Sequence, residues 1–384
     1  MNGRRIIAVA SKEIREVARD KLFAVLAFVL PSFLMLLLGV CLSMDVENIP
    51  IAIVDNDNTP ESRDFTSRFS SSRYFNLVSI AYDDRELDPL LKNNVIRAVI
   101  IIPAHFGKNI NKGRPAPIQT LLDGTYTSRA QITKGYISSI IASMNGNLLA
   151  QYISRIKGIP LDRAQIAVRP VSVDSRYLYN PSIKSVLGLA PRLLVLILYM
   201  VPPLLTGLGV VREKETGSIF NVYASTLTRG EYLIGKLIPY VGIAFLNAIV
   251  LLLIALLVFG APFKGSMLFF LVSTLAYVVS TCCLGLMIST LMTTQAAAMI
   301  FTAIVTQITA VNFSGVMVPV GSLSPGGQKI AHLFPCMFYT RIIEGTFLKG
   351  TGTAQLWLNV LILVIFSIVL FTISYLQFHK RTNA

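Results

Sequence analysis

The sequence predicts a membrane α-helical protein: six transmembrane helices, an extracytoplasmic α/β domain inserted between helices 1 and 2, and an N-terminal amphipathic interfacial helix. Three observations predict it. Hydrophobic residues make up 53% of the 384 residues and charged residues only 14%, against about 25% charged in a soluble domain. The apolar residues cluster in runs long enough to cross a bilayer core, which takes roughly 20 residues of helix. One long polar stretch, 45–181, interrupts these runs and reads as alternating strand and helix. A wholly soluble enzyme, a disordered chain and a disulfide-rich secreted scaffold are excluded together.

Residues 1–21 come first. Ile7, Ala10, Ile14 and Val17 recur at helical spacing, while Arg4, Lys12, Arg15 and Arg19 lie mostly on the other faces. A basic amphipathic helix just ahead of a span suits the headgroup plane of a bilayer. Residues 22–44 form the first span. The run is too long for a signal peptide and has no small-x-small cleavage site, so it reads as an uncleaved anchor. The other spans are 186–211, 237–259, 267–291, 296–319 and 355–377, within a five-helix region 182–384.

In the polar segment, Ile51–Val54 reads as a buried strand, and Thr59 with Pro60 opens a helix over 61–72. Residues 77–81, 98–102 and 118–122 read as further strands, and 84–94 and 127–157 as helices.

Orientation follows from Lys and Arg near the helix ends. Residues 1–21, the loop 212–236 and the tail with Lys380 and Arg381 together hold twelve; the short segments on the opposite side hold six. Both termini and the 212–236 loop are therefore expected in the cytoplasm, and 45–181 outside. On a membrane protein the net charge of +14 reports orientation before it suggests nucleic acid, and none is expected as a partner. The lipid bilayer is.

Several patterns imitate chemistry without supplying it. Gly230 to Lys236 matches a phosphate loop, but Leu237 stands where Ser or Thr must hold magnesium. Asp55 to Pro60 imitates a calcium loop with Pro60 where the sharp turn needs Gly. His105, His332 and His379 have no metal spacing. Cys41, Cys282 and Cys283 lie in apolar runs, and the polar segment has no cysteine to bridge. No Asp or Glu falls inside a predicted span, which argues against a proton relay. The sequence predicts no catalytic, cofactor-binding or metal-binding residue, and no enzyme activity for this chain.

Two stretches carry more information. Arg212, Glu213, Lys214 and Glu215 begin abruptly at the end of a span, followed by Gly217 and the apolar positions Ile219, Phe220, Val222 and Tyr223. A short helix with a charged start and an aromatic face suits docking into a partner's groove; a solvated turn between spans fits as well. On the outer side, Gly315, Pro319, Pro335, Glu344 and Gly350 punctuate an apolar segment whose part 320–354 reads as re-entrant. Arg192, after Pro191, reads as snorkelling to the outer headgroups.

Taken in order, these residues resemble the ABC-2 type transporter permeases, in particular the multidrug-export permeases with a large extracytoplasmic domain. The most specific mark is Arg212-Glu213-Lys214-Glu215-Thr216-Gly217 leading into Leu227-Thr228-Arg229-Gly230-Glu231 and Gly235-Lys236, similar to that family's RExExGT…SxxxRxExxxGK stretch. The chain departs from it at Ser218-Ile219-Phe220, where Thr-Leu-Glu is usual, and at Arg192, where many members have Gly.

The resemblance implies a permease subunit of an ATP-binding cassette exporter in the bacterial inner membrane, moving hydrophobic or amphiphilic substrates such as drugs or lipid-like molecules. It implies a separate ABC ATPase subunit carrying ATP and magnesium, a second permease chain, and a periplasmic membrane-fusion adaptor as a further candidate partner. The 212–223 stretch would be its ATPase-coupling site. The competing expectation is a membrane-anchored receptor or sensor with an extracytoplasmic ligand-binding domain, though no inner segment exceeds about 25 residues.

Overall fold

A computed structural model describes residues 2–41, 47–81, 87–168, 178–179 and 184–378. The tail residues Lys380 and Arg381, His379, the last residues of the predicted first span and the start of the predicted 84–94 helix lie outside the described residues. The chain divides into two compact units, one of Asp45–Arg176 and one of Met1–Met44 with Tyr177–Ala384.

Helix α1 spans Gly3–Arg19. Asn2 caps it by accepting from the Arg4 amide at 3.1 Å, and Asp20 closes it by donating its own N–H to the Glu16 carbonyl. The Asp20 carboxylate then accepts from the Phe23 amide at 3.2 Å, opening the next helix. That helix is α2 (Lys21–Ala24), a π-helical turn Val25–Val29, and α3 (Leu30–Cys41), continuous throughout. The wide turn sits next to Pro31, which has no N–H to give the Ala27 carbonyl four residues back. Asn247, from a later helix, donates its side-chain amide to that oxygen instead, and both residues are buried.

The Asp45–Arg176 unit holds β1 (Ile49–Asp55), α4 (Pro60–Ser70), β2 (Phe75–Ala81), α5 (Leu87–Lys92), β3 (Ala98–Ile102), α6 (Phe106–Asn111), β4 (Gln119–Leu122), α7 (Thr127–Lys157) and α8 (Leu161–Val168). Its strands form one sheet in the order β2-β1-β3-β4, with β1 parallel to β2 and β3, and β4 antiparallel. Alternation divides the apolar residues of β1. Ile51 and Ile53 meet Phe65, Phe69, Phe106 and Met144 on one face; Ala52 and Val54 meet Ile96 and Val99 on the other. A parallel strand buried on both faces needs such an unbroken apolar run. α4 starts as expected: the Thr59 hydroxyl accepts from Ser62 N, Ser62 Oγ accepts from Thr59 N, and Pro60 takes the first position. The short helices α6 and α8 were not anticipated from periodicity.

The remaining helices are α9 (Ser185–Glu215), α10 (Ile219–Ala224), α11 (Arg229–Leu253, prolonged by a π turn to Val258), α12 (Met267–Leu291), α13 (Gln295–Phe313), α14 (Pro325–Ala331), α15 (Pro335–Ile343, followed by a π turn Glu344–Lys349) and α16 (Thr353–Gln377). Among the described residues five helices are long and apolar enough to cross a membrane, namely α9, α11 with its π turn, α12, α13 and α16. Of the first predicted span the described residues hold the apolar helix Val25–Cys41, which continues α2.

α9 is the axis: 89% of its apolar window is buried, against 17% for α16. Small residues let neighbours approach it. A Cβ on Gly207 would lie 3.5 Å from the Gly285 carbonyl of α12, Gly285 faces the Pro203 backbone, and Gly209 lies beneath the Tyr240 hydroxyl of α11. α15 folds back into the same core. Tyr339 stacks on Tyr277 of α12 at 4.0 Å, and its hydroxyl hydrogen-bonds with the Thr274 hydroxyl at 2.8 Å.

Candidate functional site: a buried ionic cluster at the end of α9

Four consecutive charged residues end α9, and a helix turns about 100° per residue. They consequently reach four different places. Arg212 pairs with Asp20, at the joint between α1 and α2, at 2.6 Å. Glu213 turns inward. Lys214 Nζ donates to the carbonyls of Ser289, Thr290 and Met292 at 2.5, 3.2 and 3.2 Å, at the unsatisfied C-terminal end of α12. Glu215 accepts from the Gln295 backbone and side-chain amides at 3.0 and 2.8 Å, at the N-terminus of α13.

Glu213 enters a cluster with Glu13 of α1 and Lys236 of α11, all three under 5% exposed. Lys236 pairs with Glu13, reaches Glu213 at 3.2 Å and donates to the Gly209 carbonyl at 3.1 Å. Lys12 closes on Glu213 from the rim at 2.5 Å. The hydroxyls of Tyr232 and Tyr240 donate to Glu213 and Glu13 at 2.6 and 2.5 Å. Two ammoniums thus face the two buried carboxylates, Lys12 also pairing with exposed Glu16 at 3.3 Å, and both oxygens of each buried carboxylate are occupied. That matters because an unpaired buried charge costs several kcal/mol. Glu16 is close enough for its carboxylate to join Glu13 and Glu213 around a cation. Lys12 and Lys236 already supply the positive charge there. The Lys12 ammonium is held above its ordinary range: partial burial pulls it down, but the bond and the charge of Glu213 outweigh that.

Gly217 ends α9 in the left-handed region at φ +75°, where a side chain would be strained. The apolar face expected on 219–223 divides. Ile219 is buried with Val210, Tyr232, Leu233, Leu286 and Phe378, whereas Phe220 is 57% exposed. Tyr223 lies between them, edge-on to Phe220 at 5.9 Å and 6.3 Å from Phe378. Of the basic residues read on the outside of α1, Arg4, Arg15 and Arg19 are exposed, and Lys12 is committed to Glu213. Ile7 and Ile14 are exposed too, at 66% and 54%. It is Ala10, Glu13 and Val17 that α1 buries.

The phosphate-loop imitation has a structural explanation. Thr228 and Glu231 form a capping box at the start of α11, and Glu231 also accepts from the Asn2 amide at 2.7 Å. A Cβ on Gly235 would lie 2.7 Å from Val9 Cβ, so only glycine lets α1 lie this close. Lys236 is the cluster cation.

A sequence profile of ABC-2 family transporter proteins matches residues 21–376. The chain belongs to the ABC-2 transporter family. It is 25% identical over 384 residues, covering 100% of this chain and 99% of the other, to the probable multidrug ABC transporter permease YbhS of Escherichia coli (strain K12). To the probable permease YbhR of the same strain it is 26% identical over 378 residues, 98% of this chain and 99% of that one. To the inner membrane transport permease YhhJ it is 25% identical over 381 residues, 98% and 97% respectively.

At the other end of the ABC-2 bundle, Arg192 is not a free snorkelling cation: it pairs with Glu344 at 2.8 Å, which also meets Lys349 at 3.2 Å. Pro335 opens α15, Pro319 precedes a 3-10 turn, and Gly315 and Gly350 adopt φ of +84° and +65°. Sequence reading missed Glu13, Tyr232 and Tyr240. One signal for Glu13 was available: it shares the i, i+3, i+7 phase of Ala10 and Val17, the packed face of α1.

Proposed function

We propose that this ABC-2 protein is the permease subunit of an exporter driven by a separate ABC ATPase. The observation that carries the reading is the charged end of α9. A displacement of this one point is shared at once with α1, α11, α12 and α13, through the contacts of Arg212 to Glu215. In this reading the ATPase docks beneath α10, with exposed Phe220 as the knob and Tyr223 beside it. Nucleotide-driven closure favours a bundle conformation with a different set of contacts, which is what coupling requires. The Lys and Arg distribution supports cytoplasmic termini and an extracytoplasmic Asp45–Arg176 unit, with residues 21–41 as a sixth span in the bacterial inner membrane.

Exposed Ile7 and Ile14, flanked by Arg4 and Arg15, suit α1 lying in the headgroup plane. A second permease chain, alike or different, completes the pair, and a periplasmic adaptor is a further partner. The cargo is hydrophobic or amphiphilic, in keeping with an apolar bundle. The names of YbhS and YbhR speak of multidrug transport, and drug-like cargo is proposed on that likeness.

The test is co-reconstitution with the cognate ATPase. Glu215→Ala releases α13 and Glu213→Gln weakens the hub. Each is expected to leave ATP hydrolysis running while transport of a lipophilic dye falls by about fivefold or more. Unchanged transport in both variants would refute the coupling role.

A further inference from the structure

We propose that the Asp45–Arg176 unit binds a single-chain amphiphile with an anionic head, such as a long-chain carboxylate. A cleft of about 650 Å³ opens between α6, the 113–118 segment and α7. That volume lies in the range of small-molecule sites, roughly 300–1,000 Å³. Its floor is apolar and continuous with the core of the unit: Phe65, Phe106 and Met144 are at most 6% exposed, and Ile118, Ile141 and Leu148 pack beside them. Along α7 the lining runs from Ile141 to Arg155, about 20 Å at 1.5 Å per residue. The shape is that of a slot for an extended chain.

The rim differs in kind. Arg114 and Arg155 line the mouth, both exposed, and among the described residues neither makes an ion pair. Arg114 is held in place by its backbone. Gly113 turns through φ +65°, the Arg114 amide donates to the Asn109 carbonyl at 2.8 Å, and Pro115 follows. Asn111, Asn145 and Gln151 add neutral polar groups to the lining. No acid lines the cleft among the described residues; Asn111 is anchored from outside it by the Glu61 carboxylate, which accepts its side-chain amide at 2.8 Å. Two unpaired guanidiniums above an apolar slot complement a carboxylate or phosphate head with a hydrocarbon tail. They repel a cation.

The inference stands apart from the export reading, because binding is measured on the chain alone without nucleotide. The full chain, in phosphatidylcholine nanodiscs, is irradiated with a diazirine-bearing hexadecanoic acid, and labelled peptides are mapped. Labelling is expected on the 106–118 and 141–155 peptides. Arg114→Glu with Arg155→Glu, both surface changes, should weaken it by about tenfold, as should filling the slot with Leu148→Trp.

The hexadecylamine analogue and a four-carbon diazirine acid should both fail to label. Equal labelling by the amine, indifference to the double charge reversal, or labelling confined to the membrane helices would overturn the proposal. So would labelling by diazirine-bearing phosphatidylglycerol in place of the free acid, or protection of the cleft only when another polypeptide co-purifies.

Discussion

At the scale of single residues the ion cluster is the most consequential feature. Lys236 neutralises Glu13, and both are almost fully buried. Lys236→Ala should therefore destabilise the bundle by about 3–5 kcal/mol, through the carboxylate left behind and not through lost packing alone. Lys236→Met combined with Glu13→Gln removes both charges and should recover much of the loss. Thermal unfolding of the purified chain in detergent separates the two cases. Lysine and glutamate at these positions carry no mark of pairing in the sequence, since 223 positions separate them. What the sequence does show is the motif Glu231…Gly235-Lys236, and the structure gives each of its members a mechanical task against α1.

At the scale of elements, the helix running from Lys21 to Cys41 depends on a distant side chain. Asn247 satisfies the carbonyl that Pro31 leaves bare. Asn247→Leu should cost about 1–3 kcal/mol by orphaning that oxygen. Adding Pro31→Ala returns a backbone donor, so the double variant should be more stable than the single one. A thermal double-mutant cycle reads the non-additivity. Hydropathy made the later spans legible because each is an apolar run with polar ends. It could not foresee the π turns, one beside Pro31 and two at the ends of α11 and α15. The strands of the Asp45–Arg176 unit were readable from β-branched runs and the α4 start from Thr59-Pro60. The order β2-β1-β3-β4 was not, since it is decided by which face each crossover helix covers. α6 and α8 were too short to show a period.

At the scale of the whole molecule, the two units answer to different solvents. Hydrophobic burial drives the Asp45–Arg176 unit, about 1.5–3 kcal/mol for each fully buried large apolar side chain. In lipid that drive is absent, and close packing at Gly207, Gly209 and Gly285 with satisfied polar groups must serve instead. The units should also differ in acid. Asp123 is held down to about 2 by its bonds to Thr125 and to the Arg97 guanidinium. Asp57 is lowered as well: burial would raise it, but bonds from the Thr59 hydroxyl and the Gly107 amide prevail. A lowered carboxylate lends stability that is complete above its unfolded value, 3.8, and fades as pH falls toward its folded one. Pepsin cleavage within 47–168 should accordingly accelerate between pH of about 4 and 2. Asp57→Asn with Asp123→Asn should already be cleaved readily at the upper end and change less across the window.

The four charges that close α9 are aimed in four directions by the rotational phase of the helix that carries them. One residue inserted ahead of Arg212 would aim Arg212 where Glu213 now points and displace each neighbour likewise, putting a cation against Lys236 and an anion against carbonyl oxygens. The long helix before them is thus fixed in length as well as in packing, as the teeth of a key cannot be moved along its blade.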